Sequence, residues 1–121
     1  AEAYDVDHFI PWSFVMNDEL WNLVPMDPSL NSAKSNKLPQ WDPFFKKFAC
    51  NQYILYEMIN DSSLPQIHMK YEGCFKDNLH SIWANQELYR RGNSKEEFYN
   101  ILEKNMRPVY DSAKRQGYQV W

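Results

Sequence analysis

Two short apolar runs and a proline-bounded segment fill the first 39 residues, and they constrain the fold more than anything that follows. Tyr4 to Phe9 has the β-branched and aromatic content of a strand, and Pro11 then removes a backbone donor and ends regular pairing. Ser13 to Glu19, ending in Asn17-Asp18, holds turn residues, so Leu20 to Met26 reads as the returning strand of a hairpin with a long loop. Asp27-Pro28 starts a helix, with a side-chain acceptor at the N-cap and proline at the first position, where its missing N–H costs nothing. This helix is expected to run to about Lys37 and to stop before Pro39. Asn31 then shares one face with Lys34 and Ser35, three and four residues on.

Five polar residues stand out on this frame: Asp7 and His8 at the end of the first strand, Asn22 on the second, and Asn31 and Lys34 on the helix. The run D-V-D-H, an apolar pair and Pro11, then N-L-V at Asn22, then N-x-x-K-S through Asn31, Lys34 and Ser35, resembles the ββα-metal, or HNH, endonuclease motif. It is the variant whose last histidine is replaced by asparagine, and its order and spacing are similar to those of the HNH nuclease domain of RNA-guided CRISPR effectors. The resemblance covers Ala3 to Pro39. It implies a metal-dependent endonuclease that hydrolyses phosphodiester bonds in DNA, with RNA left open.

The chemistry of the residues agrees with those roles. Phosphodiester hydrolysis needs a base to activate water and a cation to neutralise developing charge. Imidazole changes charge near neutral pH, which makes His8 the natural general base. Asp7 and Asn31 are hard oxygen donors that suit one Mg²⁺ or Mn²⁺ ion. The resemblance adds Asn22 as the residue holding the His8 ring or its loop, and Lys34 as a cation close to the phosphate. One geometric demand follows: neighbours on a regular strand point to opposite faces, so Asp7 and His8 serve one site only if the strand ends or twists there.

From residue 41 onward the pattern turns helical. Asp42-Pro43 opens a helix carrying Phe44, Phe45, Phe48, Tyr53, Ile54, Leu55, Met58 and Ile59, expected at the centre of the core. Asn60 to Pro65 is a turn cluster, and Ile67 to Gly73 is ambiguous between states. Phe75 to Arg91 reads as a helix closed by Gly92, and Ser94 with Glu97 forms a capping box. The last helix turns Phe98, Ile101, Leu102 and Met106 inward, and Pro108 is expected to kink or split it. The fold class is therefore α+β: residues 1–40 as the catalytic hairpin and helix, and 41–121 as three or four helices packed on it in one compact domain.

Composition narrows the partners. Hydrophobic residues at 44% and charged residues at 24% are ordinary for a globular chain, and no apolar run approaches the length a bilayer requires, which makes cytoplasm the expected location. Cys50 and Cys74 lack zinc-ligand spacing, so no structural zinc is expected and both read as buried thiols. A net charge of −3 argues against gripping nucleic acid by bulk electrostatics. The distribution is uneven, however: six acids and no Lys or Arg precede residue 34, whereas Lys34, Lys37, Lys46 and Lys47 fall within fourteen residues. An acidic pole for a divalent cation then adjoins a basic strip for phosphate. Asp18 and Glu19 read as solvated surface, Trp12 and Trp21 as core, and Arg90, Arg91, Lys114 and Arg115 as surface charge. The chain lacks an obvious reader of base sequence and reads as a trimmed chain or the C-terminal piece of a longer protein, with specificity from further domains or a partner. A different class of function is a catalytically silent nucleic-acid-binding or interaction module of the same shape.

Overall fold

The computed structural model describes residues 5–26, 29 and 34–121. Strand β1 (Asp5–His8) pairs antiparallel with β2 (Leu23–Met26), placing Asp7 opposite Val24 and His8 opposite Leu23. Between them lie a one-turn helix α1 (Trp12–Val15), which ends on Met16 in the left-handed region, and a 3₁₀ turn over Leu20–Asn22. Asn22 therefore stands on the turn that feeds β2 and not on the strand. The helix start at Asp27-Pro28 and the Asn31 position lie outside the described residues. Lys34 is helical, but Ser35 takes a positive φ of 49° and the Lys37 amide donates back to the Lys34 carbonyl, so the segment turns out of helix before Lys37.

The remainder is mainly helical: α2 (Trp41–Asn60), α3 (Pro65–Lys76), a π turn over Ala84–Leu88, and α4 (Lys95–Arg115). Within α2, Asp42 keeps the extended φ and ψ that a residue before proline prefers, and the buried stripe is Trp41, Phe45, Phe48, Ala49, Gln52, Tyr56 and Ile59. Phe44, Ile54 and Met58, expected in the core, face outward. The ambiguous segment from Ile67 to Gly73 is helical within α3.

The expected helix from Phe75 to Arg91 is broken, and Asn78 supplies the reason. Its buried side-chain amide donates to the Phe75 carbonyl and to Asn85 Oδ1, offering the backbone an exit from helix that leaves Leu79 and Ile82 exposed. Gly92 has a positive φ of 94°, and the Ser94/Glu97 capping box forms with both bonds present. Pro108 does not split α4, which runs unbroken to Arg115; the proline is exposed, so the carbonyl it leaves without an amide is open to water.

An aromatic cluster unites the hairpin with the helices. Phe9, which directly follows β1, sits within 4.8–6.4 Å of the rings of Trp41, Phe45, Phe48 and Tyr110, and Trp41 stacks on Phe45 at 4.0 Å. Each such pair adds about 0.5–1.5 kcal/mol beyond the area it buries. Gln52 donates to the carbonyls of both Leu20 and Leu23, and Tyr110 donates to that of Pro39. The C-terminus returns as well: Leu38 bridges to Val120, with bonds from Leu38 N to Gln119 O and from Trp121 N to Leu38 O. Among the described residues, no helix is long and apolar enough to cross a membrane.

Candidate active site

β1 ends at His8, and the residues after it are pulled inward: Phe9 is 4% exposed and Ile10 fully buried. The Phe9 amide donates to the Asn22 carbonyl. The buried Asn22 side chain does the rest, because its Oδ1 accepts from the Ile10 amide at 2.9 Å and its Nδ2 donates to the Ile10 carbonyl at 2.8 Å. One amide group thus stands in for a missing strand residue and satisfies both backbone groups of Ile10. The end of β1 that the site requires is built by this clamp and by the seat of Phe9.

The partners of Asp7 and His8 differ. His8 Nε2 lies 2.8 Å from Asp18 Oδ1. A carboxylate only accepts, so the Nε2 proton donates to Asp18 and the basic lone pair of the neutral ring resides on Nδ1. His8 is largely shielded, at 16% side-chain exposure, while Asp18 is 75% exposed. Asp18 lies in the loop read from sequence as solvated turn. Its one legible signal is the Asn17-Asp18 pair that curls the loop back, with Asn17 Oδ1 accepting from the Glu19 amide.

Asp7 turns to Lys34, whose side chain is only 1% exposed. Lys34 Nζ donates to the His8 carbonyl at 3.1 Å and lies 3.3 Å from Asp7 Oδ2. The second approach is an ion pair without hydrogen-bond alignment: Asp7 Oδ2 is buried and has no hydrogen-bond partner among the described residues. Burial pulls the Lys34 ammonium below the usual lysine value, and the Asp7 charge opposes that shift. The sequence aimed this lysine at phosphate; the structure directs it into the protein, across the junction of Asp7 and His8.

The Asp7–Lys34 pair predicts a specific pattern of stability. Lys34→Met should cost about 3 kcal/mol, the lower end for a broken buried pair because Asp7 keeps some access to water. Asp7→Asn combined with Lys34→Met should recover much of that loss, with a coupling of about 0.5–3 kcal/mol in a denaturation cycle. Strictly additive single effects would show that the two groups do not interact.

Glu19 corrects the sequence reading. It is 6% exposed, accepting from Trp21 Nε1 at 2.8 Å and from the His80 amide at 2.8 Å, so it ties the loop behind His8 to the helical part. Trp21 is buried against Trp83, whereas Trp12, expected in the core, is half exposed. Cys50 is a half-buried free thiol, and the Cys74 side chain lies outside the described residues.

A divalent cation is the group the HNH resemblance implies. Among the described residues, no three His, Cys, Asp or Glu side chains converge on one point. Asp7 Oδ2 accepts no hydrogen bond among the described residues and meets only the Lys34 ammonium at 3.3 Å, so this hard oxygen keeps lone-pair capacity of the kind a divalent cation uses. Asn31, the other oxygen donor named from sequence, lies outside the described residues. In comparison with known proteins, residues 1–40 fit the family model described as HNH endonuclease. No curated protein and no solved structure matches the chain.

Proposed function

We propose that this chain, whose first forty residues match the HNH endonuclease family model, hydrolyses phosphodiester bonds in DNA with His8 as general base and one divalent cation. The observation that carries this reading is the Asp7 carboxylate, whose Oδ2 accepts no hydrogen bond among the described residues and meets only the Lys34 ammonium, one residue from an imidazole whose Nε2 is already engaged. His8 Nδ1 takes a proton from water, the water oxygen bonds to phosphorus, and the P–O3′ bond breaks with its electron pair leaving on oxygen, which solvent protonates. Asp7 and Asn31 would hold Mg²⁺ or Mn²⁺, and Asn31 would stand where other members of the motif have a last histidine. When bound, such a cation neutralises charge developing on the phosphate and the leaving oxygen.

Asn22 and Lys34 are positioning residues in this scheme. Asn22 holds the loop that fixes His8, and Lys34 holds Asp7 and the His8 carbonyl. Because Lys34 balances the Asp7 charge, phosphate oxygens would supply much of the negative charge that a cation meets. Residues 41–121 form the bed on which the motif rests, and sequence selectivity would come from further domains or a partner.

A plasmid-nicking assay tests the reading. Cleavage is expected with Mg²⁺ or Mn²⁺ and not with EDTA. DNA binding without cleavage under every metal condition would favour the silent binding module. Asp18 gives a finer test: Asp18→Ala should slow single-turnover cleavage by roughly 10- to 100-fold, the usual cost of losing a partner that orients a working histidine. DNA binding should be unchanged, and Asp18→Asn, which keeps an oxygen acceptor for Nε2, should restore most of the rate. Equal losses in both variants would remove the orienting role.

A further inference from the structure

Beside the end of the motif lies an open cleft of about 360 Å³, lined by Ser35, Asn36, Lys37, Gln116, Gly117, Tyr118 and Gln119. Two segments far apart in sequence build it, and direct bonds hold them together. Ser13 Oγ donates to Asn36 Oδ1 at 3.0 Å and lies 2.7 Å from the Tyr118 hydroxyl, while Leu38 pairs with the C-terminal strand residues. Three features define its chemistry. Its lining offers three amide side chains, two hydroxyls and one ammonium, and among the described residues it contains no carboxylate in a chain whose net charge is −3. Asn and Gln present donors and acceptors together, which suits sugar, phosphate and base edges, and Lys37 adds the one cation that phosphate rewards. The cleft also begins one residue after Lys34, whose ammonium touches the His8 carbonyl and Asp7.

We infer that this cleft holds the DNA backbone flanking the bond to be cut, so that the C-terminal turn Gln116–Gln119 is part of the nucleic-acid interface. This inference rests on the nuclease reading for its choice of partner. The motif alone then provides chemistry, and the returning C-terminus provides grip. The cleft explains how a chain with an acidic net charge takes hold of DNA: the contact surface is locally free of acid and depends mostly on neutral hydrogen-bonding groups, so its salt dependence is shallow.

The test is fluorescence anisotropy of a short labelled DNA duplex with the whole 121-residue chain in EDTA, where no cleavage step enters. Gln116, Gln119 and Ser35 are exposed and Lys37 half-buried, so their truncation leaves the core intact, and a thermal melt checks this. Gln116→Ala combined with Gln119→Ala should weaken binding roughly 10-fold with the salt slope unchanged, as two neutral contacts are lost. Lys37→Ala should weaken binding and reduce the slope by about one. Lys70→Ala, the same charge change on exposed α3, should do neither. Wild-type affinity in the Gln116/Gln119 double variant, or an equal loss in Lys70→Ala, would overturn the inference. Cleavage in the nicking assay is a separate readout: a protein that fails to cut yet loses affinity through the cleft variants would keep the interface and lose the nuclease reading.

Discussion

His8→Ala should cut DNA more slowly by on the order of 10²- to 10⁴-fold while melting with the unmodified protein and binding the same duplex, because a general base lowers the barrier without building the core. The geometry separates the two effects. The side-chain bond of His8 goes to Asp18, itself 75% exposed, and a pair with one partner so open to water contributes little stability. What holds the segment in place is Phe9 and Ile10, whose burial does not depend on the imidazole. Single-turnover cleavage under saturating protein is the measurement, with Mg²⁺ present. Undiminished cleavage by a correctly folded His8→Ala protein would end the assignment of His8 as base.

Asn22→Ala should have the opposite character and damage the fold first. Removing the amide leaves the Ile10 N–H and carbonyl buried without partners, and each such group costs about 1–3 kcal/mol, so a loss of about 2–6 kcal/mol is expected in chemical denaturation. Activity should fall even in the fraction that remains folded, since the turn after His8 is no longer fixed. Asn22→Asp is informative beside it, because it keeps the acceptor for the Ile10 amide but turns the donor facing the Ile10 carbonyl into a second acceptor. It should be destabilised at neutral pH and partly recover as acid protonates the new carboxyl. An Asn22→Ala protein with an unchanged denaturation midpoint would show that the clamp carries no weight.

The hairpin residues were legible in sequence because their signals are local. β-branched and aromatic content, Pro11 and the Asn17-Asp18 turn lie within a few residues of what they dictate. The capping box at Ser94 and the closing Gly92 were legible for the same reason. Glu19 was not, since a glutamate in a turn ordinarily stays in water; here one oxygen meets Trp21 two residues away and the other meets the His80 amide across 61 residues. The burial of Lys34 was not legible, because a long apolar stem with a charged tip carries no local signal of it, and only the junction of Asp7 and His8 gives its ammonium a reason to be buried. The break after α3 escaped because Leu79 and Ile82 mimic a helical stripe, while the exit is set by one side-chain amide on Asn78. The region of Asn31, where the sequence names a ligand, lies outside the described residues.

The seat of Phe9 has a consequence for motion. Its ring lies among Trp41, Phe45, Phe48 and Tyr110, so the peptide next to the base swings away only when that aromatic box opens. The end of β1 therefore belongs to the same cooperative opening unit as α2 and α4, and not to a frayed hairpin edge with an independent low-energy fluctuation. Placement of the histidine is inherited from the stability of the helical part, and Glu19 fastens the loop bearing Asp18 to that same part through Trp21 and the His80 amide.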